Sequence, residues 1–245
     1  IITDSQTPLL HTPSPMKVTL VHPAGFNFVP GQPDFSVLAN RMPPIGILQL
    51  ASWLEQHGHP TAVHDCLGPY APPTIAENAE MVLATEPELV GFSATTSGFM
   101  DALEIAALIK ARRPQVKIVF GNVHVSSLGA PVLAEYPEID YLCIGEGEGL
   151  LLDLAEGRPL AEIGNLVWRD MENGGRIVTN PRRNRILDLD ELPFPAYEKL
   201  AGFPQGYHLP LFAYEKRYGA TMITSRGCPY TCSFCDRTVF ERLYK

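Results

Sequence analysis

The sequence predicts an α/β chain: a doubly wound, five-stranded parallel sheet, then a hairpin and linker, then the opening of a second domain. Three observations carry this expectation. Short apolar runs alternate with amphipathic stretches from Lys17 to Ala155, the pattern of a sheet buried on both faces by helices. The turns after those runs are rich in glycine and hydroxyl residues, as in Gly145-Glu-Gly-Glu148. After Gly157 the alternation stops, and a cysteine-rich loop stands near the far end, at Cys228, Cys232 and Cys235.

Residues 1–15 are rich in Thr, Ser and Pro and read as a disordered segment or upstream leader ahead of a start at Met16. Lys17–His22 fits a buried parallel strand bounded by Pro23. The loop from Pro23 to Pro43 is long and rich in Gly, Pro and Phe, and such loops tend to be functional. Pro43-Pro44 opens a helix through about His57, with Ile47, Leu50, Ala51 and Leu54 on one face and Gly58 as its stop. His59–Asp65 is a second strand, and Thr74 with Glu77 forms a capping box for a helix to Thr85. Glu88–Ser93 is the third strand, followed by a hydroxyl-rich turn and a helix over Gly98–Arg112 that ends before Pro114. Val116–Phe120 is the fourth strand, closed by Gly121-Asn-Val-His124, with a short helix near Gly129–Glu135. Ile139–Ile144 is the fifth strand, and a last helix covers Leu150–Ala155. Right-handed crossovers put every strand's carboxyl end on one rim, where sheets of this flavodoxin-like order bind ligands.

Beyond Gly157, Ile163–Trp168 and Arg176–Thr179 read as a hairpin joined through Glu172-Asn-Gly-Gly175. Leu187–Pro195 is a stiff, Pro-punctuated linker. The aromatics of Gly202–Pro210 either pack between domains or fill an interface. Gly219–Thr224 is apolar and reads as the first strand of a barrel. The domain boundaries are therefore 16–157, 158–218 and 219–245, the last cut short.

Composition narrows the function. With 245 residues, 45% hydrophobic and 19% charged, the chain is globular. A net charge of −8 argues against a general nucleic-acid binder, and the basic run 182–185 reads as a solvated loop. Five cysteines, three of them clustered, fit a reducing, cytoplasmic compartment. No apolar run reaches spanning length. No G-x-G-x-x-G follows the first strand, which disfavours a dinucleotide. Cys66 and Cys143 read as small buried hydrophobes.

The stretch Thr224-Ser-Arg-Gly-Cys-Pro-Tyr-Thr-Cys-Ser-Phe-Cys-Asp236 sets three thiols in a C-x3-C-x2-C array. Thiolates are soft ligands for iron–sulfur clusters, and three of them leave one iron of a four-iron cube open. A zinc site completed by a distant His or Cys is the competing use. Arg226 could balance cluster charge or form a surface ion pair. The array, with Phe234 before its last cysteine, resembles the signature of the radical S-adenosylmethionine superfamily. That resemblance implies a 4Fe-4S cluster on Cys228, Cys232 and Cys235, S-adenosylmethionine on the open iron, and Phe234 near the adenine. It also implies an electron donor of flavodoxin or ferredoxin type.

The run from Met16 to Gly157 resembles the cobalamin-binding domain that precedes many such enzymes. The pieces that match are Pro43-Pro-Ile-Gly46, Gly91-Phe-Ser93, Gly121-Asn-Val-His124 and Gly145-Glu-Gly-Glu148. By that resemblance Ser93, Thr95, Gly121, Gly145 and Glu146 contact the cobalamin. The D-x-H-x-x-G of some cobalamin domains is missing: the first turn is His22-Pro-Ala-Gly-Phe. The implied cobalt therefore has no histidine from the protein, and His22 and His64 read as strand-end residues. Taken alone, the glycine turns also fit a doubly wound domain without cobalamin. The expected function is that of a cobalamin-dependent radical enzyme methylating or rearranging an unactivated carbon. The alternative is a cobalamin carrier or sensor without catalysis. The substrate is not written in this stretch.

Overall fold

The computed structural model describes residues 14–25, 41–183, 188–208, 220–228, 230 and 232–234. Residues 1–13 of the leader expected over 1–15, most of the long loop before Pro43, part of the basic run at 184–185, Gly219 and Cys235 lie outside them. Five strands form the parallel part of the sheet: β1 (Val18–His22), β2 (Thr61–Asp65), β3 (Leu89–Ser93), β4 (Lys117–Gly121) and β5 (Tyr141–Cys143). Two more, β6 (Leu166–Asp170) and β7 (Arg176–Thr179), follow as the hairpin. The sheet order is β2-β1-β3-β4-β5-β6-β7. Val18 lies between Thr61 and Leu89, so the chain steps outward from β1 to β2 and then returns past β1 to β3. That reversal is the switch point at which a doubly wound sheet opens a crevice.

The hairpin does more than follow the sheet. It extends it, because Leu142 pairs antiparallel with Val167 and β6 with β7. Its first strand starts later than the apolar pattern implies. Residues 160–162 form a 3-10 turn and Asn165 adopts a left-handed φ of 64°, which together interrupt the run before Leu166.

The helices begin and end where local chemistry dictates. Helix α1 (Ile45–Gln56) follows the two prolines and stops at Gly58, whose φ of 85° suits glycine. In α2 (Ile75–Ala84), Thr74 accepts from the backbone N–H of Glu77 at 3.2 Å. Helix α3 (Phe99–Arg112) carries Asp101 in its first turn and Lys110 and Arg112 in its last, matching the helix dipole. Helices α5 (Ala130–Glu135) and α6 (Glu148–Ala155) complete the expected set. One helix, α4 (Val123–Leu128), was not legible: its Val, His and Ser are weak helix formers, and the cap from Asn122 to the N–H of Val123 starts it.

Alternation along the strands divides the core. Val90, Phe92, Ile118, Phe120 and Leu142 face α2, α3 and α5. Val18, Leu20, Leu89, Val119 and Cys143 face α1 and α6. A third cluster seats Tyr207 and Leu200 against Leu48 of α1, so the aromatics of the 202–208 segment fill an interface with the sheet domain. One expectation fails: residues 220–224 carry no strand. The run is apolar, but no described neighbour offers it a ladder, and Met222 and Ile223 stay at least half exposed.

Candidate functional site

Residues two apart on a strand share a face. On the α1/α6 side, the carboxyl ends of β3 to β5 present Gly91, Ser93, Gly121, Cys143 and then Gly145. Small residues there leave space between the sheet and the two helices. A Cβ added at Gly91 would meet Leu20 Cδ2 at 2.8 Å, whereas one at Gly121 would find only Cys143 Cβ at 3.7 Å and the Phe92 carbonyl at 4.0 Å. The outcome is a cleft of about 610 Å³ at the switch point. Its floor is Leu20, Gly91, Val119 and Gly121, and its walls are Ile47 and Leu50 of α1 and Leu151 of α6. Ile223, Ser225, Arg226, Gly227 and Cys228 form the remaining side.

Polar groups ring the mouth. Asn122, at a left-handed φ of 79°, donates from Nδ2 to Ser93 Oγ at 3.0 Å. Gly145, at φ 88°, donates its N–H to the buried Ser126 Oγ at 3.0 Å, which fixes the turn after β5. Arg226 donates from Nη1 to Glu146 Oε2 and from Nη2 to Glu148 Oε1, both at 2.6 Å. Burial pushes the Glu146 carboxyl above the usual carboxylate range; the Arg226 charge pulls the other way and Glu148 adds to the rise. Burial, helped by both glutamates, also raises the Cys143 thiol, which keeps its proton and aims it at the Glu146 carbonyl 3.6 Å away. Cys143 is thus a wall of the cleft as well as a buried hydrophobe.

Of the residues expected to contact a cofactor, Ser93, Gly121, Gly145 and Glu146 line the cleft together. Thr95 stands outside it, its hydroxyl 3.0 Å from Ser97 Oγ. Phe234 is 91% exposed. Cys228 borders the cleft, while Cys228 and Cys232 are both exposed free thiols; Cys235 lies outside the described residues. Among those described, no cluster of three metal-ligating side chains is assembled. The two histidines are engaged away from the cleft: His22 Nδ1 lies 2.8 Å from Asp65 Oδ1, and His64 Nε2 lies 2.7 Å from Asn78 Oδ1. Sequence reading quoted Asn122 and Glu148 within their turns without giving them a role, and it missed Ser126. The period-two spacing of small residues could have located the cleft, but no local signal pairs Arg226 with a turn 78 residues away.

The chemistry of the cleft fits a largely apolar group with a polar fringe: a glycine floor admits close approach, and aliphatic walls exclude water. The described thiols are free and are of the soft type that iron–sulfur clusters take.

Comparison with known proteins agrees with this geometry. A family model described as "B12 binding domain" matches residues 32–155. An uncharacterised methyltransferase of Pyrococcus horikoshii is 31% identical over 91% of this chain and 46% of its own length. A cobalamin-dependent radical SAM methyltransferase of Streptomyces tokunonensis is 28% identical, over 76% of this chain and 27% of its own. An anaerobic magnesium-protoporphyrin IX monomethyl ester cyclase of Rubrivivax gelatinosus is also 28% identical, over 94% and 40%. The chain therefore spans less than half the length of each of these relatives. A cobalamin-dependent S-adenosylmethionine radical enzyme, OxsB, solved with aqua-cobalamin and S-adenosylmethionine bound, shares the fold. Its TM-score is 0.72 at 23% identity, over 94% of this chain and 29% of that one.

Proposed function

This chain belongs to the B12-binding domain family, and from that premise we propose that residues 16–157 seat a cobalamin in a cobalamin-dependent radical S-adenosylmethionine enzyme. Residues 158–218 are its hairpin and linker, and 219–245 open its radical domain. The observation that carries the reading is that one cleft is bordered both by the glycine floor of the sheet and by Cys228 of the three-cysteine loop. Two cofactors held at those places would face each other. The methyltransferases and cyclase among the relatives favour catalysis over a carrier or sensor module.

In this reading Gly91, Gly121 and Gly147 admit the cobalamin tail, while Ile47, Leu50 and Leu151 exclude water from it. Ser93, held by Asn122, and Glu146 meet its polar edge, with Thr95 further out on the rim. Cys228, Cys232 and Cys235 would hold a 4Fe-4S cluster, and Phe234 would meet the adenine of S-adenosylmethionine. When bound, these cofactors supply reductive cleavage of S-adenosylmethionine to a 5′-deoxyadenosyl radical and then methylation or rearrangement of an unactivated carbon. The protein contributes orientation and a dry site. The electron comes from a flavodoxin- or ferredoxin-type donor, and the substrate is a small molecule. A cytoplasmic setting fits the free thiols, and among the described residues no helix is long and apolar enough to cross a membrane.

Anaerobic reconstitution with iron, sulfide and hydroxocobalamin tests the reading. Stoichiometric corrin absorbance together with cluster absorbance supports it. Protein that takes up zinc at the cysteines and no corrinoid sinks it.

A further inference from the structure

Arg226 lies two residues before Cys228 in the cysteine loop, yet its guanidinium is spent on the far side of the cleft mouth. Both carboxylates it meets belong to the turn after β5 and the first residue of α6. The contact is well covered: the side chains of Arg226, Glu146 and Glu148 are 12%, 21% and 5% exposed. Charges so far from water persist only when each is met, and a planar guanidinium can meet two carboxylates at once. Gly227 follows at a left-handed φ of 84°, which turns the chain directly from this contact into Cys228.

We propose that Arg226 is a positioning residue, a latch that fastens the cysteine loop onto the Glu146–Glu148 turn and closes the mouth of the cleft. Seating of the cluster loop and retention of the cleft's occupant are then one event. The identity of that occupant rests on the cobalamin reading; the latch itself does not.

Trypsin reads the latch without any cofactor, because Arg226–Gly227 is a site it can cut only when the guanidinium is released. The folded chain and its Glu146→Gln/Glu148→Gln variant are digested side by side, and the fragment ending at residue 226 is followed by mass. The variant is expected to be cut roughly tenfold faster or more, as two lost charge-assisted bonds imply. Arg226→Lys, still a trypsin site but unable to span both carboxylates, falls between them and serves if the double variant does not fold. Equal cutting of all three overturns the latch.

The second arm measures release of hydroxocobalamin from the reconstituted chain. Arg226→Gln and Glu148→Gln each speed release, and the combined Arg226→Gln/Glu148→Gln variant is no faster than the quicker single, the mark of a shared contact. Additive or absent effects overturn the link to retention. If the unaltered chain binds no hydroxocobalamin, the cobalamin reading falls while the trypsin result still decides the latch.

Discussion

Gly121 stands beside Cys143 with room to spare: a Cβ added at 121 would come no nearer than 3.7 Å to the Cβ of Cys143. Position 121 opens into the cleft, not into packed core. A valine there puts its methyls where a cofactor tail would lie, and a β-branched residue suits a strand end. Gly121→Val is expected to keep or slightly raise the melting temperature. Its affinity for hydroxocobalamin should fall by about tenfold or more, about 1.4 kcal/mol. Calorimetry and an absorbance titration check the two halves. Undiminished binding would mean that nothing enters between β4 and β5.

Tyr207 ties the 202–208 segment to the sheet. Its hydroxyl donates to Asp65 Oδ2 at 2.9 Å, and the other carboxylate oxygen faces His22 Nδ1 at 2.8 Å. Asp65 and Tyr207 are both buried, so Tyr207→Phe leaves a carboxylate oxygen short of a partner inside the protein. The expected cost is about 1–3 kcal/mol, seen as a lower urea midpoint with an unchanged slope. A neutral outcome would indicate that water reaches Asp65.

Arg169 performs the matching task at the hairpin. From β6 it donates Nη1 to the Ile139 carbonyl at 2.5 Å and Nη2 to the carbonyls of Leu133 and Tyr136. Those of Leu133 and Tyr136 belong to the last turn of α5 and its cap, where helix oxygens lack partners. Arg169→Met keeps the aliphatic stem and removes the donors. Stability should drop by about 2 kcal/mol, and hydrogen exchange should rise first in β6 and β7. Uniform exchange across the sheet would argue against a local role.

These contacts mark where the sequence stops being readable. The five parallel strands were legible because strands and helices alike carry their own punctuation: Pro23 and Gly121 close strands, Thr74 caps a helix, and Gly58 and Pro114 follow helix ends. The hairpin was legible as a hairpin, but its attachment to β5 depends on Leu142 opposite Val167 and on Arg169, neither of which has a local signature. Residues 220–224 have strand composition, but among the described residues no neighbour pairs with them. Within the site, Ser93, Gly121 and Gly145 followed from the resemblance to the cobalamin-binding domain, and they stand at or just past strand ends. Glu148 did not, since a glutamate in the first turn of a helix ordinarily reads as a dipole partner, and here it is taken by Arg226.

Alkaline pH should unfold the chain earlier than its composition implies. Burial, assisted by the charges of Asp65 and Asp101, pushes the Cys66 thiol from 9.0 up to about 12. Burial, with Glu148 and Glu146, raises the Cys143 thiol as well. The unfolded chain gives up both protons near the ordinary value, while the folded chain keeps them. Unfolding therefore releases protons at high pH. The stability these thiols contribute is whole below pH 9.0 and declines as the pH climbs toward about 12. The slope is at most about 1.4 kcal/mol per pH unit for each thiol. The buried Tyr207 hydroxyl, raised mainly by burial and next by Asp65, adds to the decline above its ordinary value of 10.0. Urea unfolding of the native chain and of Cys66→Ala/Cys143→Ala, from about pH 8 to about pH 10, isolates the thiol share. The native chain should lose more stability than the variant across that interval. Parallel curves would mean that water reaches both thiols in the folded protein, and Cys143 could not then be the closed wall of the cleft.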